Sequence, residues 1–165
     1  MTLNSLIQKD EELSRSLRVL QDNKKIKPFA AVFAHSGDSW FWLAGLILVV
    51  IFGENYWKTW SLILSGSILA LAVFVLSLKF LIRRRRPEGE WGQIYRATDP
   101  HSFPSGHAFS AFLLTYILKK YSNVDISIIP YLVGFSRVYL GVHYPTDIIG
   151  GFLLSKIIIK LFLTD

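Results

Sequence analysis

Apolar residues run along this chain in long blocks rather than in alternation. Blocks of that length read as membrane-embedded helices. The clearest spans 59–82, which at about 1.5 Å per residue is long enough to cross a hydrocarbon core of roughly 30 Å. A shorter block at 40–53 is flanked by Trp40 and Trp42 on one side and by Tyr56, Trp57 and Trp60 on the other. Aromatic residues at both ends of a span are the mark of an interfacial belt. Three more blocks follow, at 105–118, 126–142 and 146–163. Pro145 suits the first turn of the last, and Gly150-Gly151 permits close helix packing there.

The N-terminal part is different. Leu3, Leu6, Ile7, Leu13, Leu17 and Leu20 recur every three to four residues with one gap, and charges fill the rest. This predicts an amphipathic helix over 2–27, placed at the membrane surface with Lys9, Arg15, Arg18, Lys24 and Lys25 near headgroups. The other reading is a solvated helix packed on the rest of the protein. Pro28 breaks the pattern, and Asp38 or Ser39 is a candidate cap for the helix that follows. The expectation is an all-α integral membrane bundle of about five transmembrane helices plus an N-terminal interfacial helix. Residues 1–35 form the amphipathic region and 36–165 the membrane domain.

Composition sharpens this picture. Of the 165 residues, 52% are hydrophobic, mean hydropathy is positive and the formal charge is +6. In so apolar a chain that charge points to phosphorylated lipids and the bilayer, not to nucleic acid. No protein partner is evident. With no cysteine, disulfides, thiolate metal sites and a cysteine nucleophile are excluded. Residues 4–27 lack the apolar core of a signal peptide.

Span counting brings three polar clusters to one membrane face. The second span ends at Arg83 and the third begins at Ser105; the fourth ends near Val142 and the fifth begins near Thr146. Ionisable residues at such places are functional candidates. The first cluster runs from Lys79 to Arg83-Arg84-Arg85-Arg86-Pro87. Guanidinium forks and a lysine suit phosphate oxygens. Lys79, inside an apolar span, and Arg86, held extended before proline, are the favoured phosphate ligands; Arg83, Arg84 and Arg85 read as a basic edge facing headgroups. The second cluster, Pro104-Ser105-Gly106-His107, opens a helix, where free N–H groups and the helix dipole favour an anion. Ser105 either caps that helix or donates to phosphate, and Gly106 lets the backbone come close. In the third, Arg137 is embedded in an apolar block after Ser136, and His143 and Asp147 stand four apart at a helix start. A carboxylate on one imidazole nitrogen leaves the other free to attack. The alternative is a structural pair in which Asp147 caps its helix.

The order Lys-x6-Arg-Pro, Pro-Ser-Gly-His, Ser-Arg-x5-His-x3-Asp resembles the type 2 phosphatidic acid phosphatase (PAP2) superfamily over roughly residues 60–160. The resemblance implies a metal-independent lipid phosphate phosphatase without cofactors. His143 would be the nucleophile that forms a phosphohistidine, and Asp147 its orienting partner. His107 would protonate the leaving group and then activate water. Lys79, Arg86, Arg137, Ser105 and the Gly106 backbone would hold the phosphate. The stretch from Arg86 to Gly92, leading through Asp99 to His107, looks like bacterial lipid A 1-phosphatases; undecaprenyl diphosphate and phosphatidylglycerol phosphate are the other substrates implied. It also implies a bacterial inner membrane with the site facing the periplasm, although the lysine and arginine distribution argues the opposite sidedness. A vanadate-binding haloperoxidase and a non-catalytic lipid-phosphate binder are the rival classes. Glu88, Glu90, Trp91, Arg96 and His101 in the long loop either meet a headgroup or brace the loop.

Overall fold

The computed structural model describes residues 3–18, 23, 25–88, 91–92, 95, 99–123 and 125–163. The named helices among them are α1 (Leu3–Arg18), α2 (Ile26–His35), α3 (Ser39–Phe52), α4 (Asn55–Ile82), α5 (Gly106–Ser122), α6 (Ile129–Tyr139) and α7 (Pro145–Phe162). The architecture is all-α; an isolated antiparallel bridge joins Arg85 to His101.

Two expectations about element bounds need correction. The single N-terminal helix over 2–27 is two helices. Pro28 does not break the second; it sits in the first turn of α2, where the missing N–H has no intrahelical partner to lose. Leu20 and Lys24 lie outside the described residues. The block at 126–142 is helical only over Ile129–Tyr139, 11 residues or about 16 Å. It stops because Gly141 takes a left-handed φ of 68°. The Val142 N–H then bonds the Arg137 carbonyl at 3.0 Å and the Gly141 N–H the Val138 carbonyl at 2.9 Å. This is the Schellman pair of hydrogen bonds, and glycine enters that conformation without a Cβ penalty.

Among the described residues, α4 alone is both long and apolar enough to cross a bilayer by itself. Its outward surface is nearly all apolar, with Leu62, Ile63, Leu69, Val73 and Leu81 exposed. So extensive an apolar surface suits lipid contact and not water. It pairs with α3 as a hairpin. Val75 of α4 meets Phe109 and Leu113 of α5, and Leu154 and Ile158 of α7 close the same cluster. A second cluster joins Ala30 and Ala34 of α2 to Tyr139, Leu140 and Val142, flanked by Ile26, Trp91 and Tyr95.

The remaining contacts gather the loops at one end. α1 lies across α6 and α7. Its buried face is polar: Asp10 and Ser14 point in, while Leu6, Ile7 and Leu13 are exposed. Asp10 accepts from the Thr146 N–H at 3.1 Å and from Arg84 Nη2 at 2.6 Å. α7 approaches the start of α5 through Gly151. A Cβ there would stand 2.5 Å from the Ser105 carbonyl oxygen and 3.0 Å from the Phe109 nitrogen. Both obstacles are backbone and cannot move aside. Gly151→Val should therefore destabilise the protein by about 1–3 kcal/mol, read as a lower melting temperature in detergent. Gly66→Ala, with open space around the site, should show no such loss.

Candidate active site

The three polar clusters meet at the end where α4 stops and α5 and α7 begin. α4 terminates at Arg83, which adopts a left-handed φ of 56°. The next residues run extended into Pro87, so their side chains alternate in direction. Arg83 and Arg85 face out; Arg84 and Arg86 turn inward, and Arg86 is buried. Arg86 Nε donates to the Asp99 carbonyl at 2.6 Å and Nη2 to the Asp99 carboxylate at 2.7 Å. Lys79, in the last turn of α4, donates to the same carboxylate oxygen.

α5 opens as the sequence suggested. Ser105 is its N-cap, accepting from the Ala108 N–H at 3.4 Å. The Ser105 N–H bonds the Asp147 carbonyl at 3.0 Å, so the second cluster is tied to the third through backbone. Gly106 lies against α4, with Val75 Cγ1 3.3 Å from where a Cβ would be. His107, one residue on, bonds Asp38 through Nε2 at 2.7 Å.

The turn at Gly141 delivers His143 to the start of α7. Both His143 and Asp147 are buried. His143 Nδ1 faces Asp147 Oδ2 at 3.4 Å. The Asp147 carboxylate also accepts from the Tyr144 N–H at 2.8 Å, so it caps its helix and pairs with the histidine at once. The other imidazole nitrogen, Nε2, lies 3.4 Å from Arg86 Nη1. A guanidinium only donates, so this contact suits an unprotonated Nε2. Burial first, then the positive charges of Arg86, Arg137 and Lys79, hold the imidazole well below its ordinary value of 6.5. At neutral pH the ring is uncharged, and the Nε2 lone pair faces the Arg86 guanidinium.

Arg137 is buried on α6, one turn before Gly141. Its Nη1 donates to the Ala34 carbonyl at 3.2 Å and to the Tyr95 hydroxyl at 3.1 Å, and the guanidinium stacks over the Tyr95 ring at 4.5 Å. Its Nε is buried with no hydrogen-bond partner among the described residues. Tyr95 is also within 5.6 Å of the Arg86 guanidinium.

The structure thus gathers Lys79, Arg86, Arg137, Ser105, Gly106, His107, His143 and Asp147 at one end, and adds residues the sequence reading missed. Arg84 is not an outward basic edge: its Nη1 donates to Asp147 Oδ1 at 2.8 Å. The signal was parity, since Arg84 and Arg86 are two apart in an extended segment. Asp99 was read only as part of a motif, yet it pairs two of the cations. Asp38 has N-cap dihedrals but makes no capping hydrogen bond. Burial pushes its carboxyl up, but hydrogen bonds from His107 and His35 and the charge of Arg137 outweigh this and bring it to about 2. In the long loop, Trp91 packs beside His35 at 5.5 Å and His101 meets Phe80 edge-on, both bracing contacts. The Glu88 carbonyl accepts from Arg18. Glu90 and Arg96 lie outside the described residues. Among the described residues no three histidines or carboxylates converge as a metal-ion cluster.

Known proteins match this chain in sequence and in fold. The model of the PAP2 superfamily matches residues 60–165. Phosphatidylglycerophosphatase B of Bacillus subtilis is 33% identical over 96% of this chain and 83% of its own length. A decaprenylphosphoryl-5-phosphoribose phosphatase of Mycobacterium tuberculosis is 30% identical over 82% of this chain and 78% of its own. An undecaprenyl-diphosphatase of Sulfolobus acidocaldarius is 32% identical over 73% of this chain and 61% of its own. The crystal structure of a transmembrane PAP2 type phosphatidylglycerolphosphate phosphatase from Bacillus subtilis superposes with a TM-score of 0.72 at 28% identity, covering 96% of this chain and 84% of that one. The family match covers the three polar clusters, from Lys79 to Asp147, and the chain belongs to the PAP2 superfamily, as a membrane phosphatase of lipid phosphates.

Proposed function

We propose that this protein removes a phosphate from a glycerophospholipid such as phosphatidylglycerol phosphate, through a phosphohistidine formed on His143. The observation that carries the reading is the buried His143, with Nδ1 toward Asp147 and Nε2 beside Arg86. Nε2 attacks phosphorus; Asp147 orients the ring and balances the charge it gains. Lys79, Arg86 and Arg137 hold the phosphoryl oxygens and stabilise charge in the transition state, helped by Ser105 and the backbone at Gly106. The unpartnered Arg137 Nε is a donor that a phosphate oxygen would satisfy. His107 gives its proton to the departing lipid oxygen and then takes one from the water that releases phosphate.

The substrate order differs from the sequence expectation. Lipid A 1-phosphate rested on the stretch from Arg86 to His107 alone, and relatives of this chain carry the names of phosphatidylglycerol phosphate and polyprenyl phosphate enzymes. A glycerophospholipid phosphate is therefore favoured, with undecaprenyl diphosphate second. The reading includes about five membrane-embedded helices, α3 to α7, in a bacterial cytoplasmic membrane, with the site on the outer face. α1 lies at the interface on that side, its exposed Leu6, Ile7 and Leu13 toward lipid.

Phosphate release by purified protein in detergent, with EDTA present, should be fastest from phosphatidylglycerol phosphate, slower from undecaprenyl diphosphate and slowest from lipid A. A different leader would change the substrate assignment, and no release from any would sink the phosphatase reading. His143→Ala should be inactive in the same assay. Arg137→Ala should lose about 10²–10³-fold in kcat, the scale for removing one transition-state donor.

Protonation gives a separate check. The folded protein holds His143 neutral while the unfolded chain protonates it near 6.5, so below that pH the unfolded state binds more protons. Stability should fall as pH drops from 6.5. His143→Asn, which takes up no proton, should lose less melting temperature than the parent between pH 7.5 and 5.5. Equal losses in both proteins would remove His143 as a source.

A further inference from the structure

The turn between α2 and α3 is built against His107. His107 Nε2 bonds Asp38 Oδ1 at 2.7 Å, and His35 Nδ1 bonds the other carboxylate oxygen, Oδ2, at 2.8 Å. Asp38 is buried and spends neither oxygen on capping α3, although it stands at the N-cap. The residue before it is glycine: a Cβ at Gly37 would stand 2.8 Å from His107 Cδ2. Two adjacent residues of one turn, Gly37 and Asp38, are thus fitted to a single imidazole, and His35 braces the second of them.

The chemistry of the pair fixes the tautomer. An ionised carboxylate only accepts, so the proton between Asp38 and His107 sits on Nε2. The proton that comes and goes must then belong to Nδ1, which has no hydrogen-bond partner among the described residues. We propose that Asp38 is a positioning residue for the phosphatase reaction, holding His107 so that Nδ1 delivers the proton to the leaving oxygen. This rests on His107 being the general acid, as read above.

The steps balance. As His143 Nε2 bonds phosphorus, the bond from phosphorus to the lipid oxygen breaks, and the Nδ1 proton of His107 passes to that oxygen. The lipid leaves as an alcohol. Water then bonds phosphorus, the phosphorus–nitrogen bond breaks, and Nδ1 takes the proton that water gives up. Asp38 stays a carboxylate throughout, and its pairing with Nε2–H favours the charged ring each time it forms.

The test uses the leaving group, because a residue that acts only on folding cannot sense it. An alkoxide needs a proton as it departs; p-nitrophenolate does not. In Asp38→Asn, kcat with a lipid phosphate should fall about 10–100-fold, part of what a general acid contributes. The first-turnover burst of p-nitrophenolate from p-nitrophenyl phosphate should stay within about threefold of the parent, since that step needs no proton. His107→Gln should show the same pattern more strongly, and adding Asp38→Asn to it should cost nothing further. Gly37→Ala, which pushes the ring by another route, should reproduce the pattern and serves if Asp38→Asn does not fold. Equal losses on both substrates, or unchanged lipid phosphate turnover, in Asp38→Asn alone would overturn the role of Asp38 and leave His107 as the acid. If His107→Gln itself shows no leaving-group dependence, the general-acid reading falls and this proposal with it.

Discussion

Cations taken out of water must be matched by carboxylates or hydrogen-bond acceptors, and that demand organises this protein. Lys79, Arg86 and Arg137 are 4%, 2% and 1% exposed, so none of them is solvated. A buried ion without a partner costs several kcal/mol. The partners come from distant parts of the chain. Asp99 pairs Lys79 and Arg86, Asp147 and Asp10 share Arg84, and Asp38 pairs His107. Asp10, Asp147 and Asp38 tie together elements far apart in sequence, and Asp99 closes the long loop back onto the end of α4. The polar end of the bundle is therefore both the place where chemistry is possible and the place where α1, the α2–α3 turn, the long loop and the α6–α7 turn are fastened.

Two backbone devices aim the side chains within that end. The extended run after α4 sorts four consecutive arginines by parity, two toward the site and two away. The Schellman turn at Gly141 stops α6 and places His143 at the mouth of α7, one turn from Asp147. A helix continued to Val142 would have carried His143 in another direction. The same turn leaves Arg137 on the last helical turn before it, so the histidine and the cation are both set by one glycine.

Much of the site was legible in the chain because its residues are close in sequence or fixed by local rules. His143 and Asp147 are four apart on a helix start, Ser105 is a helix cap, and Lys79 stands in an apolar block where solvation fails. Arg84 was legible in principle and was misread, since counting by two from Arg86 turns it inward. Asp38 and Asp99 were not legible. An aspartate before a helix looks like an N-cap, and one in a loop looks solvated; only the approach of another element gives either one its partner.

By itself the sequence determined the all-helical class, the apolar blocks and the side of the bundle on which the clusters fall. Those follow from local periodicity and from alternation of direction, which any single segment carries. The tertiary structure decided which carboxylate meets which cation, that α1 turns a polar face inward, and that the α2–α3 turn closes on His107. These depend on the cost of leaving a buried charge or N–H unpaired, a quantity that belongs to pairs of distant residues and is written in neither one alone.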